Sequence, residues 1–302
     1  MERSSACSIS TARSATASTT RTVRRSKNSP RSTSQAPISP DVGIANDTDA
    51  LANASFARRR AFAGYTMVET PERRDFFYGN TLVLDREPDP AEHAAWVRRH
   101  AAHFAGTGVK RHAIVWERDG VSESPASPGP GVDGVLERSI VFVRRTPLEA
   151  VANDFDIRLL DGDADWALAA ALNETETDPA DTALAAFARW RFGRLRDDAR
   201  AGRMRMWGLF SDGRLRAFAG IHATDELARF ATPVTAPDFR RRGAFRALCA
   251  TAVNETLVRR PGARVVICAA AGSVPEGIYR RLGFEAVGEQ FGLLAATSPP
   301  AP

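Results

Sequence analysis

The segment at residues 234–248 restricts the fold more than any other part of the chain. It reads Val-Thr-Ala-Pro-Asp-Phe-Arg-Arg-Arg-Gly-Ala-Phe-Arg-Ala-Leu, so an apolar strand stops before Pro237, a basic turn follows, and a helix begins at Gly243. The first backbone N–H groups of a helix have no intrahelical acceptor and lie at its positive end. A glycine at that point lets an anion approach these donors. The segment therefore predicts a diphosphate-binding turn between a strand and a helix.

Strands and helices alternate around this turn. Apolar patterns predict strands at 204–210, 215–222, 227–235 and 263–270, with a hairpin turn at 211–214. Helices are predicted at 243–258 and 275–282, and a last strand at 285–295. Pro233 within the third strand predicts incomplete pairing on one side. The order indicates an α/β (α+β) fold, with a mixed central sheet flanked by helices.

A second motif lies at residues 278–284 and reads Ile-Tyr-Arg-Arg-Leu-Gly-Phe. Gly283 suits a helix C-terminus, where a left-handed residue is needed. An Arg-x-x-Gly turn, followed one βαβ unit later by a tyrosine-containing helix that ends in Leu-Gly-Phe, resembles the GNAT superfamily of N-acetyltransferases. The resemblance covers residues 155–297. It implies the GNAT fold, acetyl-CoA as co-substrate, and direct transfer of the acetyl group to a primary amine of a small molecule or a protein.

The resemblance also implies roles for individual residues. Strands 227–235 and 263–270 would part, and backbone groups of the first would pair with the pantetheine arm of the coenzyme. Tyr279 would be the general acid that protonates the departing thiolate; its alternative role is packing. The implied coenzyme-binding residues are Val234, Thr235, Arg240, Arg241, Arg242, Gly243, Ala244, Phe245 and Ser273.

Two positions depart from the family pattern. Phe245 stands where relatives usually have a second Gly or Ala, which a backbone contact tolerates if the ring turns into the core. Gly272 stands where many relatives have an asparagine, so one coenzyme contact is either lost or supplied by neighbouring Ser273. The nearest candidates for a general base are Glu226 and His222, each with the alternative of a solvated loop residue. These departures favour a second hypothesis, a non-catalytic acyl-CoA sensor or scaffold with the same fold.

Residues 41–150 form a further α/β segment that contains no recognisable chemical motif. Its closing strand at 137–142 echoes 289–294, and both would end a sheet. The whole chain thus resembles a tandem GNAT protein whose first half is a degenerate copy that binds no coenzyme. His93, His100 and His103 share one predicted helix, but no carboxylate or cysteine completes a metal-ligand spacing. We expect an exposed helical face there and no metal.

The net charge of +5 comes from residues 1–40, which hold seven basic residues and one acidic residue. The remaining 34 basic and 35 acidic residues nearly cancel, so we expect no nucleic-acid partner. In residues 1–40, 17 positions are Ser or Thr, which predicts a disordered tail. Three interpretations of the tail are open: an organellar transit peptide, a dispensable extension, and a translation start assigned too far upstream. No run of 18 apolar residues occurs, so no membrane span is expected. Cys249 and Cys268 lie in apolar runs, which suits free thiols in the cytoplasm.

Overall fold

A single mixed sheet of eleven strands runs through the described part of the protein. The computed structural model describes residues 43–122, 127–150, 153–178 and 180–296, so the tail at 1–40 lies outside the described residues. The strands are β1 Arg58–Phe62, β2 Tyr65–Glu69, β3 Thr81–Leu84, β4 Arg111–Asp119, β5 Gly134–Arg144, β6 Asp156–Leu159, β7 Met204–Ser211, β8 Arg214–Ala223, β9 Leu227–Thr235, β10 Arg264–Ala270 and β11 Glu285–Ala296. The helices are α1 Ile44–Asn53, α2 His93–His103, α3 Gly162–Glu174, α4 Thr182–Arg200, α5 Ala244–Arg259 and α6 Val274–Arg281.

The two halves of the chain exchange their last strands. The strand order is β1-β2-β3-β4-β11-β5-β10-β9-β8-β7-β6. Strand β5, from the first half, pairs with β10 of the second half, and β11, the last strand, pairs with β4 of the first half. β5 and β11 also pair with each other, with Ser139 opposite Gln290. The two segments that echo each other in sequence are therefore the two central strands of the sheet.

A buried carboxylate fixes the register of these central strands. Glu289 of β11 is fully buried and lies between Arg118 of β4, at 3.2 Å, and Arg138 of β5, at 3.3 Å. A one-residue slip would point the carboxylate to the other face of the sheet and leave a buried charge without its partners. The ion pairs thus hold three neighbouring strands, from both halves, in one alignment.

Each half contains one parallel pair of strands joined through a helix. β3 and β4 are parallel and are joined through α2, and β9 and β10 are parallel and are joined through α5. The β7–β8 hairpin turns at Asp212 and Gly213, both with positive φ, as a two-residue hairpin loop requires. The predicted mixed sheet with flanking helices is confirmed. No helix among the described residues is both long and apolar enough to span a membrane.

Helices also cross from one half to the other. In α1, Ile44 and Ala45 pack on a buried cluster that includes Val266 and Cys268 of β10. In α4, Trp190 packs with its ring centroid 5.2 Å from that of Phe56 in the first half. Burial of apolar surface between the halves stabilises their association roughly in proportion to area. The halves are therefore joined by side-chain packing as well as by the shared sheet.

The expectation of an exposed histidine face on α2 is wrong. His93 and His100 are buried, because this face of α2 packs toward the sheet. Nε2 of His100 lies 2.8 Å from the backbone oxygen of Asn80, and its Nδ1 lies 3.1 Å from Nδ1 of His112. Nδ1 of His93 accepts a hydrogen bond from the backbone N–H of Gly129. These histidines pair with polar groups that are buried between α2 and the sheet. The sequence pattern of the helix did not indicate that they would be buried.

Burial of His100 predicts a loss of stability in acid. Burial lowers the pKa of His100 from 6.5 to about 4. The unfolded chain therefore takes up a proton as the pH falls below 6.5 and the folded chain does not, so stability is full above that pH and falls toward pH 4. The loss at pH 4 should be about 3 kcal/mol. Urea unfolding from pH 7 to 4 should show this slope, and His100→Gln should remove it while leaving a constant offset above pH 7. An equal slope in both proteins would contradict the assignment.

The strand exchange predicts that the two halves stay together after the connecting chain is cut. A protease site inserted after Glu149, whose side chain is 86% exposed, would separate β5 from the second half without touching the sheet. We expect the two fragments to elute together in size-exclusion chromatography and to unfold in one transition, because each lacks a strand that the other supplies. Fragments that separate in buffer without denaturant would show that the exchanged strands do not hold the halves together.

Candidate functional site

The parallel strands β9 and β10 part within the C-terminal half. They pair only where Leu227, Ala228 and Arg229 face residues 264–266, although both described strands continue, to Thr235 and Ala270. We call the space beyond Arg229 the gap. Backbone groups of β9 that border the gap have no ladder partner in β10, so an extended ligand can pair with them as an added strand.

A bulge re-aims the end of β9. Phe218 of β8 faces Val234, and Gly220 faces Ala231, so Thr232 and Pro233 together oppose one residue of β8. Thr232 has a φ of 46°, a left-handed conformation that is uncommon for a β-branched residue. The incomplete pairing that Pro233 predicts is thus present, and it sets the direction in which β9 runs toward the turn.

The turn after β9 ends at an open helix start. Pro237–Phe239 forms a short 3-10 helix, and α5 then begins with Gly243 as its N-cap residue at a φ of 79°. No side chain caps this helix, and a Cβ at Gly243 would meet nothing within 4 Å. Glycine is therefore required by its positive φ and not by lack of space. The first N–H groups of α5 therefore have neither an intrahelical acceptor nor a side-chain cap, and they lie at the positive end of the helix.

The three arginines of the turn are in different situations. Arg240 donates from Nε to the backbone oxygen of Thr235, at 3.1 Å, and from Nη2 to Glu176, at 2.6 Å. It therefore ties the turn to the segment before α4. Arg241 is exposed with a φ of 63°, and the guanidinium of the equally exposed Arg242 lies 5.2 Å from the centroid of the Phe239 ring. The exposed pair leaves two positive charges beside the start of α5.

The Phe245 ring turns into the core. A large side chain can therefore stand at this position without blocking the backbone N–H groups. The centroid of the Phe245 ring lies 6.2 Å from that of Phe230 and 6.1 Å from that of Tyr279. Tyr279, on α6, is 2% exposed and also packs against Phe284 and Phe142. Phe142 belongs to β5, so the first half of the chain supplies one wall around the tyrosine.

Ser273 lies at the start of α6. Its hydroxyl accepts a hydrogen bond from the backbone N–H of Glu276 at 3.4 Å and so caps the helix. The neighbouring Gly272 has a φ of 75° and donates its N–H to the Glu276 carboxylate at 2.7 Å. Both residues are thus engaged in forming the first turn of α6.

The two candidates for a general base differ in their surroundings. Glu226 is exposed in the turn before β9, as a solvated loop residue would be. His222 lies within β8, is 1% exposed, and has its Nε2 3.1 Å from Oδ2 of Asp198. A loop position is therefore wrong for His222. Sequence reasoning missed Asp198, and the apolar run Ala217–Ile221 just before the histidine was the available sign that His222 is buried.

The corresponding helix start in the first half carries negative charge. There, Glu92 accepts a hydrogen bond from the backbone N–H of Asp89 at 2.8 Å and forms an ion pair with Arg86. The hydrogen bonds from Arg86 and from Asp89 lower the pKa of Glu92 to about 2, so the carboxylate is ionised. Two carboxylates at a helix N-terminus repel a diphosphate. Of the two strand–helix–strand units, only the one in the second half has a helix start without a capping side chain.

Comparison with known proteins also distinguishes the second half of the chain from the first. Residues 176–292 match the family model described as acetyltransferase (GNAT) domain. No curated protein matches the chain. A conserved protein of unknown function from Staphylococcus epidermidis has a similar structure, with a TM-score of 0.63 and 11% identity over 80% of this chain and 94% of that one. A GCN5-related N-acetyltransferase from Kribbella flavida has a TM-score of 0.56 and 16% identity over 86% of this chain and 95% of that one.

A tandem GNAT protein from the clavulanic acid biosynthesis pathway is also similar, with a TM-score of 0.55 and 14% identity over 86% of this chain and 94% of that one. At these identities the likeness is one of fold, and it extends over both halves. The protein therefore has a GNAT fold of the kind found in a tandem GNAT protein. The match to the acetyltransferase (GNAT) domain model lies within the second half of the chain.

Proposed function

We propose that the C-terminal half is an N-acetyltransferase that transfers the acetyl group of acetyl-CoA to a primary amine of a small molecule or a protein. The observation that carries the proposal is the uncapped start of α5 at Gly243, directly after a strand that leaves its neighbour. An uncapped helix start suits a diphosphate, and a free strand edge suits the pantetheine arm. Both lie where one extended molecule can reach them.

Each residue of the site has a proposed part in binding. Backbone groups of Val234 and Thr235 pair with the pantetheine arm, and the N–H groups at Gly243, Ala244 and Phe245 bind the diphosphate. Arg241 and Arg242 add positive charge, and Arg240 holds the turn through Thr235 and Glu176. Ser273, used as a helix cap, contributes to the site through the position of α6.

The proposed chemistry is a direct attack on the thioester. The amine nitrogen bonds to the carbonyl carbon and loses a proton, the carbon–sulfur bond breaks, and the Tyr279 hydroxyl donates its proton to the departing thiolate. The rings of Phe142, Phe245 and Phe284 surround Tyr279 and restrict where its hydroxyl can point. We place this reaction in the cytoplasm, since buried cysteines outside any disulfide, Cys249 and Cys268, suit a reducing compartment.

A second candidate is a non-catalytic acyl-CoA sensor or scaffold. The specific observation in its favour is Phe245, whose ring packs between Phe230 and Tyr279 in place of the small residue usual at this position. A broad panel of primary amines and peptides, incubated with acetyl-CoA and assayed for free thiol, separates the two. Thiol release that depends on an amine supports the enzyme, and coenzyme binding without release supports the sensor.

Replacing Gly243 tests the diphosphate site. Gly243→Asn and Gly243→Asp place side chains of the same shape at the same positive φ, so both carry the same backbone strain. Only Asp adds a negative charge at the helix start, so we expect it to bind acetyl-CoA roughly tenfold or more weakly than Asn does. Calorimetry of both variants measures the difference. Equal affinities would show that the diphosphate does not lie at the start of α5.

Replacing Tyr279 with Phe tests the general acid. The variant keeps the ring and its packing and loses only the hydroxyl, so the fold and the coenzyme affinity should stay unchanged. With the amine from the panel that reacts fastest, kcat should fall by roughly 10² to 10⁴, the usual contribution of a positioned acid. Full activity in Tyr279→Phe would make Tyr279 a packing residue. A parallel loss of coenzyme affinity would instead place its hydroxyl in the pantetheine site.

A further inference from the structure

A polar cluster joins α1 and α4 to β8 and to β9, the strand that borders the gap. We call it the His222 cluster; its members are Asp49 of α1, Arg191 and Asp198 of α4, His222 of β8 and Arg229 of β9. Arg191 is included because its charge interacts with those of the other members. His222 and Arg229 face each other across β8 and β9. Asp49 lies 2.9 Å from Nη2 of Arg229, and Asp198 lies 3.1 Å from His222. The cluster thus contains groups from both halves of the chain.

Two nitrogen atoms of the cluster lack a hydrogen-bond partner among the described residues. They are Nδ1 of His222 and Nη1 of Arg191, and both atoms are buried. Arg191 lies deep in the molecule, although solvent reaches part of its side chain. Buried polar atoms are rarely left unpaired in native proteins. Each of these atoms is therefore a place where an ordered water can bind.

Asp198 determines which ring nitrogen of His222 carries the hydrogen. Burial alone would raise the pKa of this carboxyl, but hydrogen bonds from His222, Arg203 and Ser55 hold it at about 2. The ionised carboxylate accepts the hydrogen on Nε2 of the histidine. A neutral imidazole with its hydrogen on Nε2 has a lone pair on Nδ1. The nitrogen without a partner is therefore a proton acceptor.

The surroundings of His222 keep its ring neutral at pH 7. Burial lowers the pKa of His222 below its ordinary value; Asp198 opposes this shift, and the charges of Arg191 and Arg203 add to it. A ring that is neutral before the reaction can accept a proton during it. The cross-strand neighbours of His222 are Met204 of β7 and Arg229 of β9. Arg229 in turn forms an ion pair with Asp49 of α1.

The cluster lies beside the start of the gap. Arg229 is the last residue of β9 that pairs with β10 before the two strands part. His222 is the cross-strand neighbour of Arg229, and the Cβ atoms of such neighbours are about 5 Å apart. One strand, β9, therefore lies between the imidazole and the start of the gap.

We propose that His222 accepts the proton of the attacking amine at its unpartnered Nδ1, through an ordered water. The assignment rests on the acetyltransferase function proposed above. As the amine nitrogen bonds to the carbonyl carbon, its proton passes to the water, which gives one of its own to Nδ1, while the carbon–sulfur bond breaks and the thiolate leaves. Asp198 is a positioning residue, which holds the tautomer and stabilises the imidazolium that forms.

Chemical rescue of His222→Ala tests whether the ring accepts a proton. With the amine that reacts fastest in the panel, kcat should fall by roughly 10² to 10⁴. Imidazole added to the variant should restore turnover, whereas pyrrole should not. Pyrrole has the same ring size and an N–H that can donate to Asp198, but it has no second nitrogen to accept a proton. His103→Ala, a histidine loss in the first half, is the matched control and should keep wild-type turnover.

The outcomes separate this assignment from the proposed function. Wild-type protein that releases no thiol with any amine overturns the acetyltransferase function and this assignment together. Wild-type turnover that His222→Ala retains, or that pyrrole restores as well as imidazole does, overturns the assignment alone. Calorimetry with acetyl-CoA and circular dichroism confirm that each variant is folded.

Asp198→Asn provides the second test, and it applies even if His222→Ala does not fold. The asparagine can still accept the hydrogen of Nε2 but carries no charge. The pKa of His222 should therefore fall, and the acid limb of kcat against pH should move to lower pH with a reduced plateau. An acid limb at the same pH as in the wild type would show that His222 does not take the proton.

Discussion

The antiparallel contact between β5 and β11 is the interaction on which the rest of the structure depends. It joins two half-sheets that would otherwise each end in an unpaired strand edge, and unpaired edges promote association with other chains. The buried carboxylate of Glu289, between Arg118 and Arg138, keeps β4, β11 and β5 in register. The geometry of the second half therefore depends on residues of the first, including Phe142 beside Tyr279.

Each half contains a strand–helix–strand unit, but the two units differ at the start of the helix. In the second half, the helix begins at an uncapped glycine with a positive φ, and the strands part after three paired positions. In the first half, Glu92 and Asp89 place negative charge at the helix start, and buried histidines take up the space between helix and sheet. One unit is thus open to an anionic ligand, while the other is closed by its own side chains. Outside this unit, the first half contributes α1 and β5 to the second half.

The sequence predicted those features that depend on local chemistry. The strand, turn and helix around Gly243 follow from Pro237, the glycine and the apolar spacing, and the mixed sheet follows from the order of elements. The strand exchange could not be predicted, because an apolar strand at 137–142 fits either half equally well. The partnership of His222 with Asp198 was missed for a similar reason, since the two residues are 24 positions apart and meet only when α4 packs on β8. Contacts that form only when separate helices and strands pack together cannot be read from the local sequence pattern.

The position of β11 has a consequence for how the chain is made. Synthesis proceeds from the N-terminus, so β11 leaves the ribosome after the other described strands, yet it lies at the centre of the finished sheet, between β4 and β5. Until it arrives, β4 and β5 have no partner on the sides where β11 will lie. Long-range pairing of this kind forms slowly and leaves nascent strand edges exposed to neighbouring chains. The nascent protein should therefore need protection, for example by a chaperone, until its last dozen strand residues emerge.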